Sequence, residues 1–208
     1  MGEQVSLFDG TGHEFDAIIQ EMHRKQISLR ITGKRLINRE LPLQLTMGVS
    51  LPKGERQRIL IEKLVEIGTT NLVPLITDRG VARPDEKVVT RLERTVVEAC
   101  KQCGRNVLMK IDEPRDCREF FSQSASQATR LLALPEAQEA ISIALPPGVA
   151  TASGNHFVCA IGPEGGFTEN EIAMATSCDW RAVNLGRRIL RAETAAIVMA
   201  AYLSLANR

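Results

Sequence analysis

The chain has 208 residues, 44% of them apolar and 25% charged, with a formal net charge of +1. That make-up belongs to a globular chain long enough to bury a core without staples. The near-neutral balance excludes a global basic field, so any basic site must be local. Five cysteines, odd in number and scattered, argue against a disulfide framework and for a reducing compartment. No apolar run reaches the roughly 20 residues that a membrane helix needs, and the first ten residues lack the blocks of a signal peptide. The expected location is therefore cytoplasmic, with no membrane partner.

In chain order, the first segment reads as strands. Gln4 to Phe8 is a short alternating run that stops at the turn pair Asp9-Gly10. Glu14 to Gln20 and Gln26 to Thr32 follow, the latter alternating Ile27, Leu29 and Ile31 with Ser28 and Arg30. Gly33 to Leu41, closed by Pro42, reads as a polar linker. So short a β segment cannot stand alone and must lean on the rest of the chain.

From Leu43 strand-like runs alternate with helical periods. Strands are expected at Leu43–Val49, Asn71–Ile76, Arg130–Leu134, His156–Ile161 and Ala182–Leu185. Helices are expected at Glu55–Ile67, Glu86–Gln102, Thr168–Thr176 and Glu193–Leu205. Such alternation predicts a parallel sheet covered on both faces, an α/β fold. The Ala- and Pro-rich stretch from Pro135 to Ser153 gives no clear period.

Two glycine-rich stretches each join a strand to a helix. Ile161-Gly162-Pro163-Glu164-Gly165-Gly166-Phe167-Thr168 precedes a helix whose start is marked by a capping box, Thr168 with Glu171. It is neither a dinucleotide fingerprint nor a phosphate loop. Leu185-Gly186-Arg187-Arg188-Ile189-Leu190-Arg191-Ala192-Glu193-Thr194-Ala195 places Glu193 in a first helical turn, where a carboxylate suits the helix dipole. One such loop is as well explained by a tight connection. Two at strand C-termini would build one pocket.

Together these stretches resemble the SPOUT superfamily of S-adenosylmethionine-dependent RNA methyltransferases. More narrowly, they resemble the ribosomal RNA small subunit methyltransferase E family, which methylates uridine N3 in 16S ribosomal RNA. Two further matches are Glu98 to Arg105 and Lys53-Gly54-Glu55-Arg56 with Lys63 to Gly68; Lys101 departs from the glutamate frequent in the family. The resemblance spans Val5 to Ala206. It implies a parallel sheet ending in a C-terminal trefoil knot, which sequence physics alone would not propose. It also implies a homodimer, and a PUA-like β-barrel ahead of the methyltransferase domain. Residues 1–41 correspond to part of that barrel, its first strands lacking, and residues 42–208 to the SPOUT domain.

The resemblance further implies the site. Cofactor contacts fall on Leu134, Ile161, Gly162, Glu164, Gly165, Gly166, Leu185, Gly186, Ile189, Leu190, Thr194 and Ala195. Arg191, then Arg105, is expected to stabilise the charge that develops on the uracil, with Glu193 orienting the arginine or holding the cofactor. An arginine cannot serve as the base, so the role is electrostatic. For RNA, Arg24, Lys25, Arg30, Lys34, Arg35 and Arg39 form a basic run in which six bases meet one acid, Glu21. Arg56, Gln102 and Arg105 join them through the motif matches. No metal is expected, since Cys100 and Cys103 lack a second pair at zinc spacing. The competing readings are a ribose 2′-O methyltransferase of the same fold, and a non-catalytic RNA-binding assembly factor. A Rossmann enzyme would need an acidic residue beyond a glycine fingerprint that this sequence does not carry.

Overall fold

The computed structural model describes residues 2–124, 127–144 and 156–206. Three strands come first: β1 (Gln4–Phe8), β2 (His13–His23) and β3 (Gln26–Leu36). They form an antiparallel sheet in the order β1-β2-β3. The β1–β2 turn is built as expected, with the Asp9 carboxylate accepting from the Thr11 amide at 2.8 Å. The linker expectation needs correction. β3 runs on to Leu36, which sits opposite His13, because β2 supplies partners for its backbone groups. Three strands do not close a barrel.

The rest is one parallel sheet with helices between. Its elements are β4 (Gln44–Val49), α1 (Glu55–Ile67), β5 (Asn71–Ile76), α2 (Glu86–Cys103), β6 (Lys110–Ile111), β7 (Arg115–Asp116), α3 (Cys117–Gln123), β8 (Thr129–Ala133), α4 (Ile141–Ala144), β9 (His156–Ile161), α5 (Glu169–Ser177), β10 (Arg181–Val183) and α6 (Ala192–Ala206). The strand order is β10-β8-β9-β4-β5-β6, with β7 beside β5. The expected alternation holds, with small shifts at the ends. The sequence reading had no place for β6, β7, α3 and α4. Of Pro135–Ser153, residues 145–153 lie outside those described.

Both faces are covered, each by its own apolar cluster. On one, Leu60 and Leu64 of α1, Leu92 and Val96 of α2, and Met199 and Leu203 of α6 pack on Leu45 and Met47. On the other, Phe120 and Phe121 of α3, Phe167, Ala175 of α5 and Trp180 pack together. Phe121 and Trp180 meet edge-on at 5.2 Å, and the indole N–H donates to the Phe121 carbonyl at 3.1 Å. Such a pair adds about 1 kcal/mol beyond area burial. Gly48 lets Phe120 reach the sheet, since a Cβ there would stand 2.5 Å from the ring.

The first sheet does lean on the second unit, through Arg105 and Asn106. Arg105, only 6% exposed, forks onto Glu40 at 2.9 and 2.5 Å and donates to the carbonyls of Val65 and Thr69. Asn106 Nδ2 donates to the carbonyls of Gly12 and Ile37 and to the Glu14 carboxylate. No helix among the described residues is long and apolar enough to cross a membrane.

Candidate active site

In an open parallel sheet the crevice forms beyond the strand C-termini, where successive connections leave in opposite directions. From β4 the chain moves outward to β5 and β6, while β8, β9 and β10 lie on its other side. Beyond those strand ends lies a cleft of about 560 Å³. Leu134 follows β8, the 162–168 loop follows β9, and the 184–191 loop follows β10; all three contribute to its walls. Of the residues expected to contact a cofactor, Leu134, Ile161, Gly162, Glu164, Gly165, Gly166, Leu185, Gly186, Ile189, Leu190 and Ala195 all line it. Thr194 is the exception. It is exposed on α6 and does not line the cleft, because one residue along a helix turns the side chain by roughly 100°.

The β9–α5 loop is fixed from several directions. The capping box forms as expected: Thr168 N donates to Glu171 Oε2 at 2.6 Å, and the Glu171 amide donates to the Thr168 hydroxyl. Glu171 is fully buried and also accepts from the Asp78 amide at 2.9 Å and the Cys117 thiol at 3.1 Å. Burial alone would raise its carboxyl, but the hydrogen bonds outweigh burial and hold it below the ordinary glutamate value. The same burial and the Glu171 charge push the Cys117 thiol up, so it is an inert donor. Gly166 has φ 69°, and its amide donates to Pro163 O at 2.8 Å, closing a tight turn. Arg56 of α1 pairs with Glu164 at 2.9 Å.

The β10–α6 loop is held more lightly. Gly186 (φ 118°) donates its amide to Asn184 Oδ1 at 3.2 Å. Arg187, Arg188 and Arg191 are exposed, and Ile189 is 82% exposed. Arg191 lies between Leu190 and Ala192, which both line the cleft, but does not line it itself. Glu193 is 7% exposed in the first turn of α6, and its Oε2 has no hydrogen-bond partner among the described residues. A buried carboxylate oxygen left so is costly, and its natural complement is a cation or a strong donor.

Arg105 is corrected here. Its guanidinium is spent on Glu40 and two carbonyls at the junction with the first sheet, so it neither faces the cleft nor is free for RNA. The basic run also shrinks on folding. Arg35 pairs with Asp16 at 2.8 Å, Arg39 with Glu14, and Lys34 stands 5.5 Å over the Phe15 ring. Glu14 and Asp16 lie near the start of β2, ahead of the residues 21–39 that were counted. Arg24, Lys25 and Arg30 are exposed, as is Gln102 at the end of α2. Sequence reasoning missed Arg79, Glu136, Glu169 and Arg188, charged side chains that line the cleft. Of these, Glu169 and Arg188 sat within stretches already singled out, the capping box and the second glycine loop.

A parallel α/β sheet with a glycine-lined cleft at its strand C-termini defines a small-molecule-binding class of fold. The family profile for the RNA methyltransferase domain matches residues 39–204. The chain belongs to that family. The ribosomal RNA small subunit methyltransferase E of Synechocystis sp. is 33% identical over 206 residues, which is 98% of this chain and 66% of the relative. The Bacillus subtilis protein of the same name is 26% identical over 200 residues, 93% of this chain and 78% of that one. The crystal structure of ribosomal RNA small subunit methyltransferase E from Neisseria gonorrhoeae, bound to S-adenosylmethionine, matches with a TM-score of 0.87. It is 30% identical to this chain, covering 97% of this chain and 82% of that one.

Proposed function

We propose that this chain transfers a methyl group from S-adenosylmethionine to N3 of a uridine in the 16S ribosomal RNA of the small subunit. The observation that carries the reading is the cleft between the two glycine loops, in a member of the RNA methyltransferase family. The cofactor fits on this structure's own terms. A cleft of about 560 Å³ lies within the range of about 300–1,000 Å³ usual for such sites. Its walls are apolar at Leu134, Ile161, Leu185 and Leu190 and expose backbone at Gly162, Gly165 and Gly186.

When bound, S-adenosylmethionine supplies an electrophilic methyl on a positively charged sulfur. The loops hold it, and alignment with the base supplies much of the rate. Uridine N3 must lose its proton before or during attack, so negative charge develops on the uracil. Arg191 is the residue we assign to that charge. Glu193, with its unpartnered buried oxygen, is assigned to orient the arginine or hold the cofactor.

The same reading covers the remaining architecture. From β10 the 184–191 loop leads into α6, which packs on α1, β4 and β9. That path supports a SPOUT-type knot over residues 42–208. Residues 1–41 are read as part of a PUA-like RNA-binding barrel, using Arg24, Lys25 and Arg30. Exposed Ile189 and Leu205 suit a second copy of the chain, hence a homodimer. A ribosomal substrate suits a cytoplasmic location.

The test is incubation of the chain with S-adenosylmethionine and small subunits lacking the modification, followed by nucleoside analysis. The expected product is 3-methyluridine. A 2′-O-methylated nucleoside would overturn the choice of atom, and no methyl transfer would favour an RNA-binding factor.

A further inference from the structure

Arg79 stands just after β5, outside every motif above, yet it reaches the cofactor loop. Its Nη1 donates to the Gly165 carbonyl at 2.8 Å and lies 3.5 Å from the Phe167 carbonyl. Its aliphatic carbons would lie 3.5 Å from a Cβ at Gly165, and the side chain forms part of the cleft wall. These two carbonyls belong to peptide units already held at their other ends. The Gly166 amide donates to Pro163 O, and the Thr168 amide to Glu171. With Arg79 in place both units are pinned at N–H and C=O alike. The neighbouring Asp78 completes the clasp: its amide donates to Glu171, and its carboxylate accepts from Thr168 Oγ1 at 3.2 Å and from Arg118 at 2.5 Å.

We propose that Arg79 is a positioning residue that fixes the β9–α5 loop in its cofactor-binding shape before the cofactor arrives. The proposal rests on the reading of the cleft as an S-adenosylmethionine site. A loop fixed in advance loses less conformational freedom on binding, which raises affinity without adding a contact. One guanidinium nitrogen spans two carbonyls from a planar fork, a geometry that an ammonium on a flexible stem holds less well.

The experiment compares the unmodified chain with Arg79→Ala, Arg79→Lys and, as a control on an exposed helical pair, Arg58→Ala. Titration uses S-adenosylhomocysteine and 5′-methylthioadenosine, which lacks the amino acid end. Arg79→Ala is expected to weaken both ligands about tenfold, by loss of preorganisation. Arg79→Lys should fall between, and Arg58→Ala should match the unmodified chain. Without ligand, hydrogen exchange over residues 164–168 should quicken in Arg79→Ala while α1 and α2 keep their protection. Unchanged affinity and unchanged exchange in a folded Arg79→Ala would overturn the role. So would a loss confined to S-adenosylhomocysteine, which would make Arg79 a direct ligand of the carboxylate. If the folded, unmodified chain bound neither ligand, the reading of the cleft as a cofactor site would fall. Quickened exchange in Arg79→Ala would still establish that the arginine holds the loop.

Discussion

The two glycine loops face one cleft but are built on opposite plans. The β9–α5 loop is tied down by Glu171, Asp78, Arg79 and Arg56, four side chains from the segment after β5, from α1 and from its own helix. The β10–α6 loop is anchored at its start, where Asn184 Nδ2 donates to the Ala137 carbonyl at 2.8 Å, but further on it carries three exposed arginines and an isoleucine left in solvent. Preorganised walls bind small molecules, while loosely held segments are those that rearrange when something larger docks. Both loops line the cleft, but the first is a preformed wall, whereas the second keeps more freedom to adjust.

Four changes would break or sharpen this contrast, taken from the largest effect down. Glu171→Ala strips the acceptor from the Thr168 and Asp78 amides and the Cys117 thiol. Urea unfolding should show a loss of about 3 kcal/mol or more, since buried donors are orphaned. Arg191→Ala touches the loose loop. It should leave the urea midpoint and cofactor affinity unchanged while turnover falls about 100-fold, about 2.7 kcal/mol; near-normal turnover would end its assignment. Gly166→Ala meets no atom within 4 Å, so its cost is that of the φ 69° backbone alone. About 1 kcal/mol is expected, read from the same unfolding curves. Arg56→Ala removes a half-exposed pair with Glu164 and should cost well under about 1 kcal/mol, and less still at high salt.

Acid sharpens the comparison further. Glu171 titrates below the ordinary glutamate value in the folded chain, so the unfolded chain takes up its proton first. Its contribution is full above the unfolded pKa, near 4.3, and is lost as pH falls through the lower folded value. Asp78 behaves alike, its carboxyl held down first by the hydrogen bond from Arg118. The stability gap between the parent chain and Glu171→Gln should therefore be constant from pH 7 to about 5.5 and narrow below about 4.5. A gap that widened on acidification would contradict the hydrogen-bonded carboxylate.

What the residues disclosed in advance follows the range of the signals involved. The main strands and helices announce themselves through local periodicity. The capping box at Thr168 and Glu171 is a contact three residues long and was equally legible. Two-residue strands such as β6 and β7 have no period to read, and α3 follows β7 directly, capped by Asp116. Arg79 meets a carbonyl 86 residues away, a pairing that no local pattern encodes. Arg105 misled for the converse reason. A motif match offered it to the substrate, whereas burial and Glu40 make it part of the joint between the sheets. The basic run is partly neutralised for a related reason, because a charge count over residues 21–39 leaves out Glu14 and Asp16 near the start of the neighbouring strand.

The placing of β4 governs how the chain must assemble during synthesis. This central strand is made early, yet one of its two partners is β9, with Gln44 opposite His156 and Val49 opposite Ile161. Closing that pair spans more than half the chain, an entropic toll that makes such topologies slow to form. While the later half is still being translated, Leu45, Met47 and Val49 have only β5, α1 and α2 to shield them. A nascent chain halted before β9 would thus display an unpaired strand edge at the centre of its future core, the state that chaperones recognise and aggregation exploits.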